Sequence, residues 1–208
     1  MIELLNIDCM EYMATVPDKY FDLAIVDPPY GIGINHNMGR RKGDKKSSYK
    51  PAEWDNCSPQ EIYFKELFRI SKHQTIWGAN YFISKMPYDS SCWLLWDKIF
   101  SEEVTFSQFE IAWTSFNGTC EKFEFHPSKQ HNRIHPTQKP IQLYKWILKN
   151  HAKPDFKIID THLGSGSSAI AAHDFGIAEF VGCEIDKEYF EAAVKRFENH
   201  KRQTTIKF

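Results

Sequence analysis

The most informative residues follow the apolar segment Phe21 to Val26, where the chain continues Asp27-Pro28-Pro29-Tyr30. Proline fixes its own φ, cannot donate to a sheet ladder and restricts the residue before it, so the two prolines end a strand in a rigid edge. The Asp27 carboxylate and the Pro28 carbonyl oxygen can each accept a hydrogen bond from one planar amino group, while the Tyr30 ring stacks on the group that carries it. The exocyclic amine of a nucleobase fits this chemistry. A rigid turn without chemistry is the alternative.

A second group of residues has the strand, glycine loop and helix pattern of a cofactor site. Lys157 to Asp160 reads as a short buried strand, and the next residues include Gly164 and Gly166 before a helical stretch. Glycines let the backbone approach a ligand closely, and a helix N-terminus presents N–H groups and the positive end of its dipole. About twenty residues later a strand ends at Glu184, whose carboxylate can accept both hydroxyls of a ribose. The glycine spacing also fits a dinucleotide fingerprint, so this region alone leaves an NAD site open.

A third motif, His135-Pro136-Thr137-Gln138-Lys139-Pro140, precedes a helical stretch that runs through Asn150. We expect Thr137 to be an N-cap or near-cap residue, with Pro140 in the first helical turn. Lys139 supplies a cation for a ligand carboxylate. The segment alone could be a polar helix start, but its occurrence with the other two motifs indicates a shared site.

The three motifs together resemble those of the amino-methyltransferases, which transfer a methyl group from S-adenosylmethionine to adenine or cytosine in DNA. The resemblance is to the group usually called β, in which the DPPY part comes first, a target-recognition insertion follows, and the HPTQKP and glycine-loop part comes last. It implies an α/β, Rossmann-like methyltransferase fold, circularly permuted, with a mixed and mostly parallel sheet flanked by helices.

The same resemblance implies S-adenosyl-L-methionine as the cofactor and double-stranded DNA as the partner. Asp-Pro-Pro-Tyr resembles the adenine-specific version of the motif, which favours methylation at adenine N6. Cytosine N4 is the alternative base, and an NAD-dependent oxidoreductase is the alternative from another class. A homodimer, a restriction endonuclease partner and the target sequence stay open.

Three sets of site residues follow from the resemblance. The catalytic set is Asp27, Pro28, Pro29 and Tyr30. The cofactor set is Asp8, Thr137, Gln138, Lys139, Asp160, Gly164, Ser165, Gly166, Ser167 and Glu184. The DNA-contacting set is Arg40, Arg41, Lys42, Lys45, Lys46, Lys129 and Arg133. For Asp8, capping of the helix that starts at Cys9 is an equal alternative.

One departure from the family pattern lies next to the glycine loop. The family usually has Asp-Pro-Phe there, whereas this chain has Asp160-Thr161-His162. The rigid turn is lost and a titratable ring replaces an aromatic one. We expect the imidazole to stack in the place of that aromatic ring, and a general-base role for His162 is the alternative.

The elements that must position these residues alternate between strand and helix patterns. The predicted strands cover residues 2–7, 21–27, 75–78, 93–96, 110–114, 156–160 and 180–184. The predicted helices cover residues 9–16, 59–71, 165–175 and 186–200, besides the one that ends at Asn150. The acids at four strand ends, Asp8, Asp27, Asp160 and Glu184, should therefore line one carboxyl edge of a single sheet.

Two further patterns concern the middle of the chain. Ser58-Pro59-Gln60-Glu61 has the form of a capping box with proline at the first helical position. Trp77, Trp93, Trp96 and Trp113 could form a base-stacking platform, but tryptophans at strand positions are more typical of a core. Residues 78–80 are expected to help shape the pocket for the target base.

The 208 residues suit a single domain, 1–208, and the net charge of −1 shows no basic footprint over the whole chain. The charge is local: residues 36–50, within a loop at 31–57, carry six Lys or Arg against one Asp, which gives +5. Such a loop beside the DPPY turn can grip phosphates, although a solvated face is the alternative. Residues 116–134 form a second, short candidate DNA-recognition segment.

Five cysteines without metal-ligand spacing indicate neither a disulfide framework nor a zinc site. No metal is expected. The first residues lack a cationic signal pattern, and no apolar stretch approaches membrane-spanning length. A cytoplasmic protein without a membrane partner is the expectation.

Overall fold

The computed structural model describes residues 1–33, 55–100, 107–130 and 133–204. Within these ranges the strands are β1 (Ile2–Leu5), β2 (Phe21–Val26), β3 (Ser71–Trp77), β4 (Trp93–Asp97), β5 (Phe109–Thr114), β6 (Glu121–Glu124), β7 (Lys157–Asp160) and β8 (Glu179–Cys183). The α-helices are α1 (Cys9–Thr15), α2 (Glu61–Ile70), α3 (Ile141–His151), α4 (Ser167–Phe175) and α5 (Lys187–Thr204).

The strands form one sheet in the order β1-β8-β7-β2-β3-β5-β4-β6. From β1 to β3 all neighbours are parallel, whereas β5 is antiparallel to both β3 and β4. The last pair, β4 and β6, is parallel. This is the mixed, mostly parallel sheet that the sequence predicted.

The central strand β2 has helices over both of its faces, which explains why four consecutive residues, Leu23 to Val26, are apolar and buried. Leu23 and Ile25 pack into a cluster with residues of α3, α4 and α5, while Ala24 and Val26 pack into a second cluster with residues of α1 and α2. Burial on both faces fixes the register of β2, and with it the position of Asp27 just beyond the strand end.

The predicted row of acids at one edge is confirmed by the strand order. Asp8, Glu184, Asp160 and Asp27 lie at or just beyond the carboxyl ends of β1, β8, β7 and β2, which are consecutive parallel neighbours in the sheet. The C-terminal strands β7 and β8 thus lie between the N-terminal strands β1 and β2, as expected of a permuted chain.

Several local predictions need correction. The capping box is wrong because α2 begins at Glu61 after Gln60, which makes no side-chain cap, and the Ser58 hydroxyl accepts a hydrogen bond from Lys85 instead. Thr137 is not the N-cap of α3, since Pro140 occupies that position.

The segment 116–134 contains the edge strand β6, which the sequence did not reveal. Its pattern of alternately half-buried and exposed residues is weakly apolar, and only pairing with β4 identifies it as a strand. The core interpretation is confirmed for Trp77 and Trp113, which are both 0% exposed. None of the described helices is long and apolar enough to cross a membrane.

Candidate active site

Two cavities lie side by side at the carboxyl edge of the parallel strands. One, here called the DPPY cavity, has a volume of about 730 Å³ and is lined by Asp27 to Tyr30 together with residues of β5 and the segment after β4. The other, the glycine-loop cavity, has a volume of about 610 Å³ and is lined by residues of the glycine loop and the end of β8. Both cavities are lined by Asp27, Pro29, Thr137, Gln138 and Lys139. The DPPY and HPTQKP motifs therefore form a common wall.

The DPPY turn is held from below by a buried carboxylate. The backbone N–H groups of Tyr30 and Gly31 donate to Asp55 Oδ1 over 2.8 and 3.0 Å. Asp55 is 1% exposed. The N–H groups of Tyr30 and Gly31 lie beyond the strand end and have no partner in the sheet, so Asp55 satisfies them. The turn is therefore held in place before any ligand binds.

The Tyr30 ring is fixed by contacts on several sides. Its hydroxyl donates to Asp27 Oδ1 over 2.7 Å, and its ring stacks on Tyr81 with the centroids 5.0 Å apart. Gly78 has a φ of +70°, and a Cβ there would lie 2.0 Å from a carbon of the Tyr30 ring. Of residues 78–80, which the resemblance places near the target base, Gly78 and Asn80 line the DPPY cavity and Ala79 is not among its lining residues.

A largely buried ion-pair cluster extends from the common wall into the DPPY cavity. Lys139 Nζ is 2.5 Å from Asp27 Oδ2 and 3.0 Å from Glu110 Oε2, and Lys98 Nζ is 2.7 Å from Glu110 Oε1. The Lys139 side chain is only 2% exposed. The cation predicted to meet a ligand carboxylate thus contacts two carboxylates of the protein. Sequence reasoning missed Glu110, although a single acid within the apolar strand β5 is a signal that could have found it.

The cluster moves the pKa values of its two acids in opposite directions. Burial raises the pKa of Asp27, and the nearby Glu110 charge adds to this, against the lowering effect of Lys139. Burial alone would also raise the pKa of Glu110, but Lys139 and Lys98 together lower it to about 2. Asp27 is therefore the acid of the pair that accepts a proton more readily.

The polar groups of the glycine-loop cavity are held by backbone bonds. Glu184 Oε2 accepts from the Gly164 N–H over 2.8 Å, and its Oε1 accepts from the Asp186 N–H over 3.0 Å. Gly166 begins α4 at a φ of +72°, and a Cβ there would lie 3.3 Å from the Ala193 side chain. Glu184, just after β8, thus presents an oriented carboxylate to the cavity, which Gly164 and Ser165 of the loop also line.

Asp160 supports this loop from beneath and does not line the cavity. It is 1% exposed and accepts from the Ser168 hydroxyl over 2.5 Å and from the His162 N–H over 3.0 Å. Burial raises its pKa to about 7. Ser165 lines the cavity, whereas Ser167 is buried and its hydroxyl lies 3.1 Å from that of Ser165.

Comparison with known proteins places this arrangement in a family. The sequence pattern of the DNA methylase family matches residues 71–195, which is more than half of the chain. The chain belongs to the DNA methylase family, whose members are N6/N4 amino-methyltransferases. A relative, the type II methyltransferase M.HinfI of Haemophilus influenzae, is 24% identical over an alignment that covers 93% of this chain and 67% of that protein.

Solved structures of other methyltransferases share the fold. The complex of M1.HpyAVI with S-adenosylmethionine superposes with a TM-score of 0.59 at 22% identity, over 94% of this chain and 100% of that one. The PvuII DNA methyltransferase, described as cytosine-N4-specific, gives a TM-score of 0.63 at 10% identity, over 97% of this chain and 92% of that one.

Thr161 and His162, where this DNA methylase departs from the family pattern, belong to a chain of hydrogen bonds. The Tyr63 hydroxyl lies 2.7 Å from Thr161 Oγ1, which lies 2.9 Å from His162 Nδ1. Burial lowers the pKa of His162 to about 4, so the ring is neutral at pH 7. His162 lines the glycine-loop cavity as an uncharged polar ring, and its edge meets the Tyr63 ring at 5.4 Å.

Some of the remaining predicted site residues of the DNA methylase line a cavity and others do not. Asp8 caps α1 by accepting from the Met10 N–H over 2.7 Å, and it is not among the residues that line the glycine-loop cavity. Gln138 is buried and accepts from the Ile134 N–H over 3.1 Å. Lys129 is exposed, while Arg133 lines the DPPY cavity and donates to the Pro136 carbonyl over 2.6 Å. The basic residues Arg40, Arg41, Lys42, Lys45 and Lys46 lie outside the described residues.

No group of His, Cys, Asp or Glu side chains in the described ranges is arranged to hold a metal ion.

Proposed function

We propose that the protein is a site-specific, S-adenosylmethionine-dependent DNA methyltransferase that methylates the N6 amine of adenine after base flipping. The observation that carries this proposal is the common wall of the two cavities, on which Asp27 lies. A methyl donor in one cavity and a base in the other would meet at this residue. Two adjoining cavities with shared residues suit a reaction between two ligands, one in each cavity.

The glycine-loop cavity fits the cofactor by its volume and its polar groups. About 610 Å³ is within the range of roughly 300–1,000 Å³ that is typical of small-molecule sites. Glu184, with each oxygen already oriented by a backbone N–H, suits the two hydroxyls of a ribose. S-adenosylmethionine, when bound, supplies an electrophilic methyl group on a sulfonium centre.

The DPPY cavity suits a base taken out of the duplex. Its larger volume and its aromatic lining, Tyr30 and Tyr81, provide stacking surface for a planar ring. An amine that is paired and stacked within a duplex is not accessible to in-line attack, so the base must be extruded first. The exposed Lys129, the Arg133 side chain and the basic residues between 40 and 46 would bind the phosphates.

Catalysis by this wall is mainly a matter of position and hydrogen bonding. Asp27 and the Pro28 carbonyl oxygen accept the two amine hydrogens, which draws the nitrogen lone pair out of conjugation and directs it at the methyl group. The amine becomes acidic only as the new bond forms, so no strong base is needed beforehand. Asp27 then accepts the proton.

Adenine is proposed over cytosine because Asp27-Pro28-Pro29-Tyr30 resembles the adenine-specific motif. The PvuII enzyme, named as cytosine-N4-specific, shares the fold, so the fold alone does not select the base. A homodimer, an endonuclease partner, a cytoplasmic location and DNA reading by residues 116–134 remain predictions.

The decisive experiment is transfer of labelled methyl from S-adenosylmethionine to unmethylated DNA, followed by nucleoside analysis. We expect the label in N6-methyladenine. Label in N4-methylcytosine would keep the mechanism and overturn the base assignment. If NAD, and not S-adenosylmethionine, raises the melting temperature, the methyltransferase proposal is wrong.

Asp27→Ala should abolish transfer, with a fall in kcat of roughly 10³-fold or more, because one amine acceptor and the proton acceptor are lost together. Cofactor affinity should stay within about threefold of the wild-type value, since the cofactor is held mainly by the glycine loop. Asp22→Ala on the same strand is the matched control, because its carboxylate pairs with Lys72 away from both cavities. Equal activity of the two variants would contradict the role of Asp27.

A further inference from the structure

Four charged side chains alternate in sign along the wall of the DPPY cavity. In the order Lys98, Glu110, Lys139 and Asp27, the successive nitrogen-to-oxygen distances are 2.7, 3.0 and 2.5 Å. They come from the segment after β4, from β5, from the segment before α3 and from the end of β2. Largely buried charges are tolerated when each has a partner of opposite sign, and here two cations balance two anions.

Both oxygens of Asp27 already accept contacts. Oδ1 accepts from the Tyr30 hydroxyl over 2.7 Å, and Oδ2 lies 2.5 Å from Lys139 Nζ. The proposed reaction needs an Asp27 oxygen for the substrate amine. An amine that binds Oδ2 shares that oxygen with the Lys139 ammonium, whose charge-assisted contact is the shorter of the two that Asp27 already makes.

The Lys139 side chain is only 2% exposed, so water can replace little of a lost ion-pair contact. An ammonium withdrawn from one carboxylate in a site of low dielectric needs another anion to receive it. Glu110 Oε2 is already 3.0 Å from the same nitrogen, and the other oxygen of Glu110 is anchored by Lys98. Resting on the proposed function, we propose that Glu110 is a positioning residue that takes over Lys139 when the substrate amine engages Asp27.

The acid–base properties of the cluster agree with this division of roles. Lys139 and Lys98 outweigh burial and lower the pKa of Glu110 to about 2, whereas burial raises the pKa of Asp27. Glu110 thus stays an anion for Lys139, and Asp27 receives the proton. The other titratable groups that act on Asp27 or are affected by it are Tyr30, Tyr144 on α3 and Asp160 on β7.

The transfer step balances with these groups. A bond forms between the amine nitrogen and the methyl carbon, and the carbon–sulfur bond breaks with its electron pair remaining on sulfur. The nitrogen, positively charged at that moment, loses one proton to Asp27. The products are the methylated amine, a neutral thioether and a protonated Asp27, while Lys139 and Glu110 keep their charges throughout.

The test begins with Glu110→Gln, which keeps the shape and removes the charge. Lys139 then has Asp27 as its only anion in the cluster. We expect kcat for methyl transfer to fall roughly 10 to 100-fold, with the cofactor Kd and the KM for DNA within about threefold of wild type. Glu110→Asp, which keeps the charge, should retain more activity than Glu110→Gln, and it provides the measurement if Glu110→Gln does not fold.

A double-mutant cycle separates action through Lys139 from direct action on the base. On the pH plateau, the kcat of Lys139→Met should be within about threefold of that of the double variant Lys139→Met with Glu110→Gln, because Glu110 then has no Lys139 ammonium to receive and keeps only its contact with Lys98. An equal loss from Glu110→Gln in both backgrounds would overturn the proposal, as would wild-type kcat in the single variant.

The acidic limb of the kcat profile provides a readout that a purely structural role would not move. The limb reports the pKa of Asp27, which must be unprotonated to accept the amine hydrogen. Glu110→Gln removes a repelling charge, so the limb should move to lower pH, while Lys139→Met removes an attracting charge and should move it to higher pH. Two unmoved limbs would overturn the proposal. Failure of the wild-type protein to methylate DNA would instead overturn the proposed function.

Discussion

The two cavities are built in different ways. In the glycine-loop cavity, the carboxylate of Glu184 is oriented by the N–H of Gly164, 20 residues earlier, and by the N–H of Asp186, 2 residues later. Asp160 accepts a hydrogen bond from Ser168, 8 residues later. In the DPPY cavity, the Tyr30 hydroxyl accepts a hydrogen bond from Lys139, 109 residues away, and lies 3.4 Å from Glu110, 80 residues away. One cavity is organised by local backbone geometry and the other by distant charged side chains.

This difference bears on what each cavity tolerates. Backbone N–H groups remain when side chains are replaced. The glycine-loop cavity therefore depends on the few residues, such as Gly164 and Gly166, that set the backbone conformation of the loop. The DPPY cavity depends on two cations and two anions that balance, because removal of any one leaves an uncompensated charge in a largely buried cluster. Substitutions in the second cavity should therefore be more strongly coupled to one another.

The largest expected effect beyond Asp27 is on cofactor affinity. Glu184→Ala should raise the Kd for S-adenosylmethionine roughly 10 to 100-fold, because it removes a charged acceptor for two hydroxyl groups. Isothermal titration provides the measurement. At saturating cofactor, kcat should stay within about threefold of wild type, which would sharpen the separation of the two cavities. A large loss of kcat at saturating cofactor would contradict the separate roles of the two cavities.

A smaller effect concerns stability as a function of pH. The pKa of Asp160 is raised from 3.8 to about 7 in the folded protein, so between these values the folded state holds a proton that the unfolded state lacks. The contribution of the protonated Asp160 carboxyl to the free energy of unfolding is fully present below the unfolded pKa and is lost as the pH rises through about 7. Relative to Asp160→Asn, the wild-type free energy of unfolding should therefore fall by about 1 kcal/mol or more between pH 5 and pH 8.

Urea denaturation at the two pH values measures this difference. Asp22→Asn is the matched control, because Lys72 and the Lys157 N–H outweigh burial and lower the pKa of Asp22. Its stabilising contribution is lost only as the pH falls through that lowered value, so its difference from wild type should be flat between pH 5 and pH 8. A flat difference for Asp160→Asn as well would show that the carboxyl is ionised in the folded state.

The smallest expected effect is on DNA affinity. Lys129 is exposed beside the DPPY cavity, and Lys129→Ala should weaken DNA binding a few-fold and reduce the slope of log K against log salt by about 1. Lys65→Ala on α2 is the control, because Lys65 is equally exposed and is not among the residues that line either cavity. A similar change in both variants would mean that DNA does not approach this side of the DPPY cavity.

The sequence pointed to Gly164 and Glu184 but not to Glu110, for a physical reason. The spacing of Gly164, Gly166 and Glu184 along the chain is recognisable without a structure. Glu110 gains its role only because β5 lies antiparallel between β3 and β4, which brings it to Lys139. The order of antiparallel strands depends on tertiary packing, so that contact could not be inferred from spacing.

The same limit explains two incorrect local predictions. The Ser58-Pro59-Gln60-Glu61 pattern satisfies the rule for a capping box, but a contact with the distant Lys85 engages the serine hydroxyl. Thr137 has the right residue type for a cap, but α3 starts only after Pro140. In both cases a tertiary requirement overrides the local preference.

The close approach of Gly78 to Tyr30 limits how the target site could be redesigned. Any side chain at position 78 would occupy the space of the Tyr30 ring, since even a Cβ would lie 2.0 Å from it. A library that varies position 30 towards larger rings therefore has no room to gain from position 78. A smaller residue at position 30 would remove the steric overlap with a side chain at position 78, but the φ of +70° would still disfavour any residue other than glycine there. The two positions are best diversified as one unit, although 48 residues separate them in the chain.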